Sequence, residues 1–144
     1  MTDALTYLTE HHVMTLATQG SDGPWAAAVF YVNVGYTLFF LSSPKSRHAV
    51  DMASHPRVAA TVQEDYADWT RIRGVQLEGV VRELTGMEAS HARERYGAKF
   101  AVIAEPPPPI AVALAKVHWY ELVPQRMHFV DNTIAFGHRA EVRL

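Results

Sequence analysis

The sequence contains no cysteine. That excludes a disulfide scaffold, thiol catalysis and cysteine-ligated zinc or iron–sulfur clusters. It also lacks any apolar run near the ~20 residues that a helix needs to cross a bilayer. The start, MTDALTYLTE, has no basic segment followed by an apolar core, so it does not read as a secretory signal. No run of lysine or arginine occurs and the formal net charge is -2, which argues against nucleic acid and against electrostatic docking on a membrane. A soluble cytoplasmic protein is the expectation. Several catalytic signatures are missing as well. There is no G-x-S-x-G elbow, no G-x-x-x-x-G-K-[ST] loop, no G-x-G-x-x-G turn and no H-E-x-x-H pair. The 8 histidines are scattered. His11 and His12 are adjacent and point apart, and His48 and His55 fall near opposite ends of one helix. No metal site is expected.

What remains is a chain of 144 residues, 49% hydrophobic and 19% charged. This composition fits one globular domain over residues 1–144 with a single core. Asp3 can cap a short helix running to about His12, with Leu5 and Leu8 inward. Val13–Gln19, Trp25–Val34 and Thr37–Leu41 read as three strands joined by glycine-containing turns, hence an antiparallel meander. Val58–Glu64 is a fourth strand. Val75–Leu84 alternates most cleanly, and Gly79 inside it predicts a bulge or a close backbone approach. Thr85 and Glu88 have capping-box spacing for a further helix, with Ala89, Ala92, Tyr96 and Phe100 as its inner side. Pro106–Pro109 reads as a stiff polyproline connector. Lys116–Val123 and Arg126–Asp131 finish the sheet, with Pro124 at an edge, bulge or turn. The tail NTIAFGHRAEVRL is less regular. Six or so strands and two or three helices make an α+β protein, whose sheet could lose its edges by closing into a barrel.

The stretch Leu41–Ala53, LSSPKSRHAVDMA, carries the most chemistry. It reads as a strand end, a short turn and a helix start, with Ser43 as N-cap, Pro44 at the first helical position and Ala49, Met52 and Ala53 inward. A helix start offers free N–H groups and a partial positive charge. Ser42, Ser43, Lys45, Ser46, Arg47 and His48 surround it with hydroxyls, a point charge, a planar guanidinium and an imidazole, a set suited to one phosphate. The plain alternative is a capped helix with a solvated basic end. Trp25, Trp69 and Trp119, with Tyr31, Tyr66 and Tyr120, could wall a flat ring system or serve as core.

Three blocks extend this reading: K-S-R-H-A at Lys45–Ala49, R-G-V-Q-L-E-G at Arg73–Gly79 and F-V-D-N-T-I-A-F-G at Phe129–Gly137. In their order they resemble the FMN-binding split-barrel proteins related to pyridoxamine 5'-phosphate oxidase. The closest likeness is to a small uncharacterised subgroup sharing K-[ST]-R-H-A, R-G-V-Q-x-x-G and F-x-D-N-T-x-x-F-G. The resemblance implies a six-stranded antiparallel split β-barrel with flanking helices, a homodimer with FMN in clefts between subunits. The flavin phosphate would sit at Ser42, Ser46, Arg47 and His48, where His48 replaces a lysine of the oxidase. The ring and ribityl chain would run beside Ala26–Tyr31, using backbone groups of Ala28, Val29, Phe30 and Tyr31. A flavin-contacting glutamine of the oxidase falls at Gly74, two residues before Gln76. Residues reaching over from the partner chain fall at Val130 and Arg139. Ala26 and Tyr31 stand where the oxidase has arginine and lysine, and its substrate-phosphate residues have no counterparts here.

The implied function is an FMN-dependent oxidoreductase of unspecified small-molecule substrate and without vitamin B6 oxidation. The alternative is a non-enzymatic flavin or haem carrier or sensor on the same fold, with His48, His118 or His128 as axial ligand. A deazaflavin occupies the same cleft in relatives. A ligand-free interaction module is a third possibility.

Overall fold

The computed structural model describes residues 3–144. Helix α1 (Ala4–Glu10) is capped by Asp3, whose carboxylate accepts from Thr6 N at 2.8 Å. It buries Ala4, Tyr7 and Leu8, while Leu5, expected inside, is exposed. Strand β1 (Val13–Gly20) and β2 (Gly23–Phe30) form a hairpin in register from Val13↔Phe30 to Gly20↔Gly23. The predicted strand Trp25–Val34 does not continue. Its end is a separate strand, β3 (Val32–Val34), which pairs with β4 (Thr37–Ser42) and not with β1.

The remaining elements follow in order. They are α2 (Arg47–Ser54), β5 (Arg57–Gln63), a 3-10 turn (Trp69–Arg71), β6 (Arg73–Leu84), α3 (Gly86–Lys99), α4 (Ala101–Ala104), α5 (Pro108–Leu114), β7 (His118–Asp131) and β8 (Arg139–Glu141). Among the described residues there are eight strands rather than six or so: Tyr31 divides one expected run, Lys116–Val123 and Arg126–Asp131 join into the single strand β7, and the tail supplies β8. Pro108 begins α5, so only the front half of the proline run is a connector: proline costs little at a first helical position. Thr85 does precede α3, but it makes no side-chain cap. Glu88 instead takes two bonds from Arg82, at 3.0 and 2.6 Å.

Every pairing is antiparallel, in the order β2-β1-β5-β6-β7-β4-β3. The two strands at the ends of this path, β2 and β3, are consecutive in the chain with Tyr31 between them. The sheet must therefore curl until its ends meet. Tyr31 is fully buried at the seam, donating its hydroxyl to Leu8 O at 2.6 Å and its N–H to His12 O at 3.0 Å. β7 runs along β6 throughout, while its other edge is shared. His118–Leu122 pair with β4 and His128–Val130 with β8. Pro124, buried, sits between those two stretches.

One core fills the curl, from Leu8, Met14 and Leu16 to Leu122 and Met127. A second cluster, with Tyr96, Ile103, Leu114 and Trp119 at its centre, packs α3–α5 over the outward residues of β3 and β4. Strand β4 alternates between the two: Leu38 and Phe40 face the first, Phe39 and Leu41 the second. The outer face of β2, β1 and β5 carries small residues in paired rows. Ala17 stands between Ala26 and Ala59, and Thr15 between Ala28 and Thr61. The block Asp131–Gly137 forms a pinned loop. Asp131, fully buried, accepts from Arg73 Nε at 3.3 Å and Thr133 N at 2.9 Å, and Asn132 Nδ2 donates to Trp69 O at 2.7 Å.

Both predictions for Gly79 hold. The β6–β7 register shifts between Glu78 and Gly79, leaving Gln125 as the extra residue. A Cβ at Gly79 would collide with the Val123 carbonyl and lie 2.9 Å from Pro124 Cα. Gly79→Ala should therefore lower unfolding free energy by about 1–3 kcal/mol. Urea denaturation should show a reduced midpoint at an unchanged slope; an unaltered midpoint would mean the strands part at no cost.

Candidate functional site

The strand-to-helix junction differs in detail from the expected one. Ser46, not Ser43, caps α2, accepting from Ala49 N at 3.3 Å. Ser43 and Pro44 belong to the preceding turn. The Ser43 carbonyl accepts from Ser46 N at 3.1 Å and from Ser46 Oγ at 2.8 Å, and its hydroxyl accepts from Lys45 N at 3.3 Å. This delays the helix by three residues, because the serine hydroxyl and carbonyl close a local turn first. The inner side of α2 shifts accordingly: Ala49, Asp51 and Met52 are buried and Ala53 is exposed.

Ser42, Ser46 and His48 come together, while the Arg47 side chain turns to the β1–β2 hairpin. Ser42 ends β4 and is buried; its Oγ lies 2.6 Å from His48 Nε2, with Ser46 Oγ at 3.4 Å from the same nitrogen. Lys45 and Ser43 are exposed beside this group. Arg47 is held from three sides. Its guanidinium lies 4.3 Å from the Trp25 ring centroid, its Nη2 donates to Asp22 O at 3.2 Å, and its Nε is 4.0 Å from Asp51 Oδ2. That last separation is an ion pair but not a hydrogen bond, so the buried Nε has no partner. Asp51 is buried against β1. Thr18 Oγ1 donates to its Oδ2 at 3.0 Å, and a Cβ at Gly20 would fall inside its carboxyl.

The other candidate positions lie elsewhere. Ala28 and Phe30 are exposed on β2, Val29 points into the core, and the Tyr31 side chain is sealed in the seam. Gly74 and Gln76 are on β6, three strands from β2 along the hydrogen-bonded path. Gly74 is buried with a Cβ position 3.0 Å from Val62 O; Gln76 is exposed and opposite His128. Arg139 is exposed on β8, opposite Val130. Within the single chain these three do not join the α2 start. Of the six aromatics, Trp25 alone touches that cluster, through Arg47. Trp119 is core, and Tyr120 stacks on Phe40 with centroids 5.4 Å apart.

Sequence reasoning missed Trp25, Asp22 and Asp51 as members of the group. Asp51 was legible as the i+4 partner of Arg47. The hairpin contacts were not, since they depend on how β2 lies over α2. Among the described residues no group of three His, Asp or Glu side chains is arranged to hold a metal. Among the described residues no helix is long and apolar enough to cross a membrane.

Burial pushes the His48 imidazole below its ordinary value, while the Asp51 carboxylate works the other way. A lowered imidazole binds fewer protons folded than unfolded. Its contribution to stability is complete above the unfolded value of about 6.5 and is lost as pH falls through the lower folded value. The His48 ring-proton resonance should therefore titrate below a free imidazole, and His48→Gln should flatten the fall in stability on acidification. Titration at or above the free value would contradict this environment.

The model for the pyridoxamine 5'-phosphate oxidase family matches residues 1–131. A UPF0306 protein of Klebsiella pneumoniae is 34% identical over 139 residues, covering 95% of this chain and 88% of its own. Among solved structures, the haem storage protein HutZ of Vibrio cholerae superposes with a TM-score of 0.71 at 20% identity, over 84% of this chain and 87% of that one. An FAD-binding protein of Mesorhizobium loti superposes with a TM-score of 0.67 at 20% identity, over 89% and 94%. At those identities the two structures speak for the fold alone. With a curled antiparallel sheet whose seam is closed by Tyr31, and with matches spanning nearly its whole length, the chain belongs to the pyridoxamine 5'-phosphate oxidase family and to its UPF0306 relatives.

Proposed function

We propose that this protein binds FMN, with the flavin phosphate at the start of α2, and works as a flavoprotein oxidoreductase. One observation carries the reading: the buried, unpartnered Nε of Arg47, in the first turn of a helix at whose start Ser42, Ser46 and His48 are grouped. A half-buried guanidinium with a free donor costs energy unless an anion supplies the missing acceptor. Phosphate fits, being planar-fork compatible and served also by the first N–H groups of the helix. Asp51 uses part of the arginine's charge, so Arg47 alone does not neutralise a dianion. His48, protonated in response to the phosphate, supplies the second positive charge that a lysine provides in the oxidase.

The residues present fit the rest of the cofactor in a simpler way. Ala26 and Ala28 leave the exposed face of β2 low, so a flat ring can approach its backbone. When bound, the flavin would carry the hydride or electrons; the protein binds it, orients it and tunes its surroundings. The family membership and the FAD-binding relative in fold support a flavin over a nicotinamide, for which the chain has no glycine-rich turn.

The reading includes a homodimer. The alanine and threonine rows of β2, β1 and β5 are flat, and Phe30 and Val13 extend them with apolar surface at 56% and 39% exposure. Pairing that face with a second copy would bring β6 and β8 of one protomer, with Gln76 and Arg139, towards the other protomer's β2. The interface should bury more than about 1,000 Å2. Sedimentation at micromolar concentration should give a dimer; a stable monomer would contradict it.

Arg47→Ala should weaken FMN by about 2–3 kcal/mol, the worth of a charge-assisted bond to phosphate. Riboflavin, which lacks the phosphate, should be nearly indifferent to the same change. Equal losses for both ligands would make Arg47 structural. A Soret band on adding haem, abolished by replacing one of His48, His118 or His128, would move the reading to a haem carrier.

A further inference from the structure

A cleft lies on the opposite flank of α2 from Arg47, with a volume of about 550 Å3. Ala49 and Met52 of α2 form one wall, and Val81 and the Tyr120 ring, on β6 and β7, form another. This is the size and character of a small-molecule site. At its rim Glu83 Oε1 is in contact with His118 Nδ1. Both side chains are about half-exposed, at 46% and 48%, so their pairing adds little to stability. Glu83 is the one carboxylate among the lining side chains, and no lysine or arginine is among them. Burial raises the Tyr120 phenol, and the Glu83 carboxylate raises it further, so the phenol keeps its proton and lies within the field of Glu83.

We propose that this cleft binds a small amphipathic amine. Its ammonium group meets the free oxygen of Glu83, and its apolar body lies against Met52, Val81 and the Tyr120 ring. The sign of charge is set by Glu83 and the size by the walls. His118 holds one oxygen of the carboxylate in place and leaves the other open to the cleft. An anionic ligand of the same shape is repelled by Glu83, and a neutral one gains only the walls. The site is separate from the phosphate cluster and does not depend on flavin binding.

Three isosteric probes test this on the full chain: benzylamine, benzyl alcohol and benzoate. The methyl resonances of Met52 and Val81 should shift saturably with benzylamine, which should bind at least about tenfold tighter than either of the others. Glu83→Gln, at a half-exposed position, should remove the amine's advantage while leaving the spectrum of the folded protein otherwise intact. Ala53→Trp, on the exposed lip of the cleft, should abolish all three shifts. The proposal is overturned if benzylamine gives no saturable shift at Met52 and Val81, if benzoate binds as well as the amine, or if Glu83→Gln leaves the order unchanged.

Discussion

The fold depends on a closure constraint. A seven-strand path ends in β2 and β3, and those ends are joined covalently through one residue, Tyr31. An open sheet cannot satisfy that connection, so the sheet curls and its interior becomes the core. Tyr31 is buried with both polar groups satisfied by backbone carbonyls of Leu8 and His12, which also fixes α1 beneath the seam. Lys99, at the end of α3, lies 4.5 Å from the Tyr31 ring centroid and donates to His11 O, fastening the helical layer to the same place. Burial pushes the Lys99 amine down to about 8, as expected for a cation held by a ring and a carbonyl without a carboxylate.

The candidate site is a consequence of that closure. Curling brings the β1–β2 hairpin over α2, so that Trp25 and Asp22 reach Arg47 from one side while Asp51 anchors it from below. The arginine's orientation is thus set by residues on three elements. A stacked guanidinium is worth about 0.5–1 kcal/mol at a partly exposed site, and it also restricts the side chain to the junction. Thr18 and Gly20 hold Asp51, the one by a hydrogen bond and the other by having no side chain in its way.

Much of the architecture was readable from the residues. The alternation of Val75–Leu84 and the bulge beside Gly79 each rest on a local rule, and each formed; the helix after Thr85 formed as well, though without the capping box that announced it. The division of Trp25–Val34 at Tyr31 did not announce itself, because a strand that changes sheet partner keeps its β-formers on both sides of the break. Pro124, expected at an edge, bulge or turn, does sit beside the bulge, where neither β4 nor β8 needs its missing N–H, but the runs on its two sides form one long strand. At the site, the grouping of Ser42, Ser46 and His48 was legible from its spacing. The cap was misplaced because Ser43 and Ser46 have the same capping chemistry, and the turn that chooses between them depends on Ser43's carbonyl. Trp25 was visible as an aromatic but not as the platform for Arg47, a contact between residues far apart in the chain.

Direct titration tests most closely the flavin phosphate proposed at the head of α2. FMN fluorescence followed as folded protein is added should be quenched to saturation at protein concentrations of tens of micromolar or below. The His48 resonance should move in the same titration, as a neutral imidazole gains its proton beside the phosphate. A folded dimer that leaves FMN fluorescence and His48 unchanged at those concentrations would contradict the account.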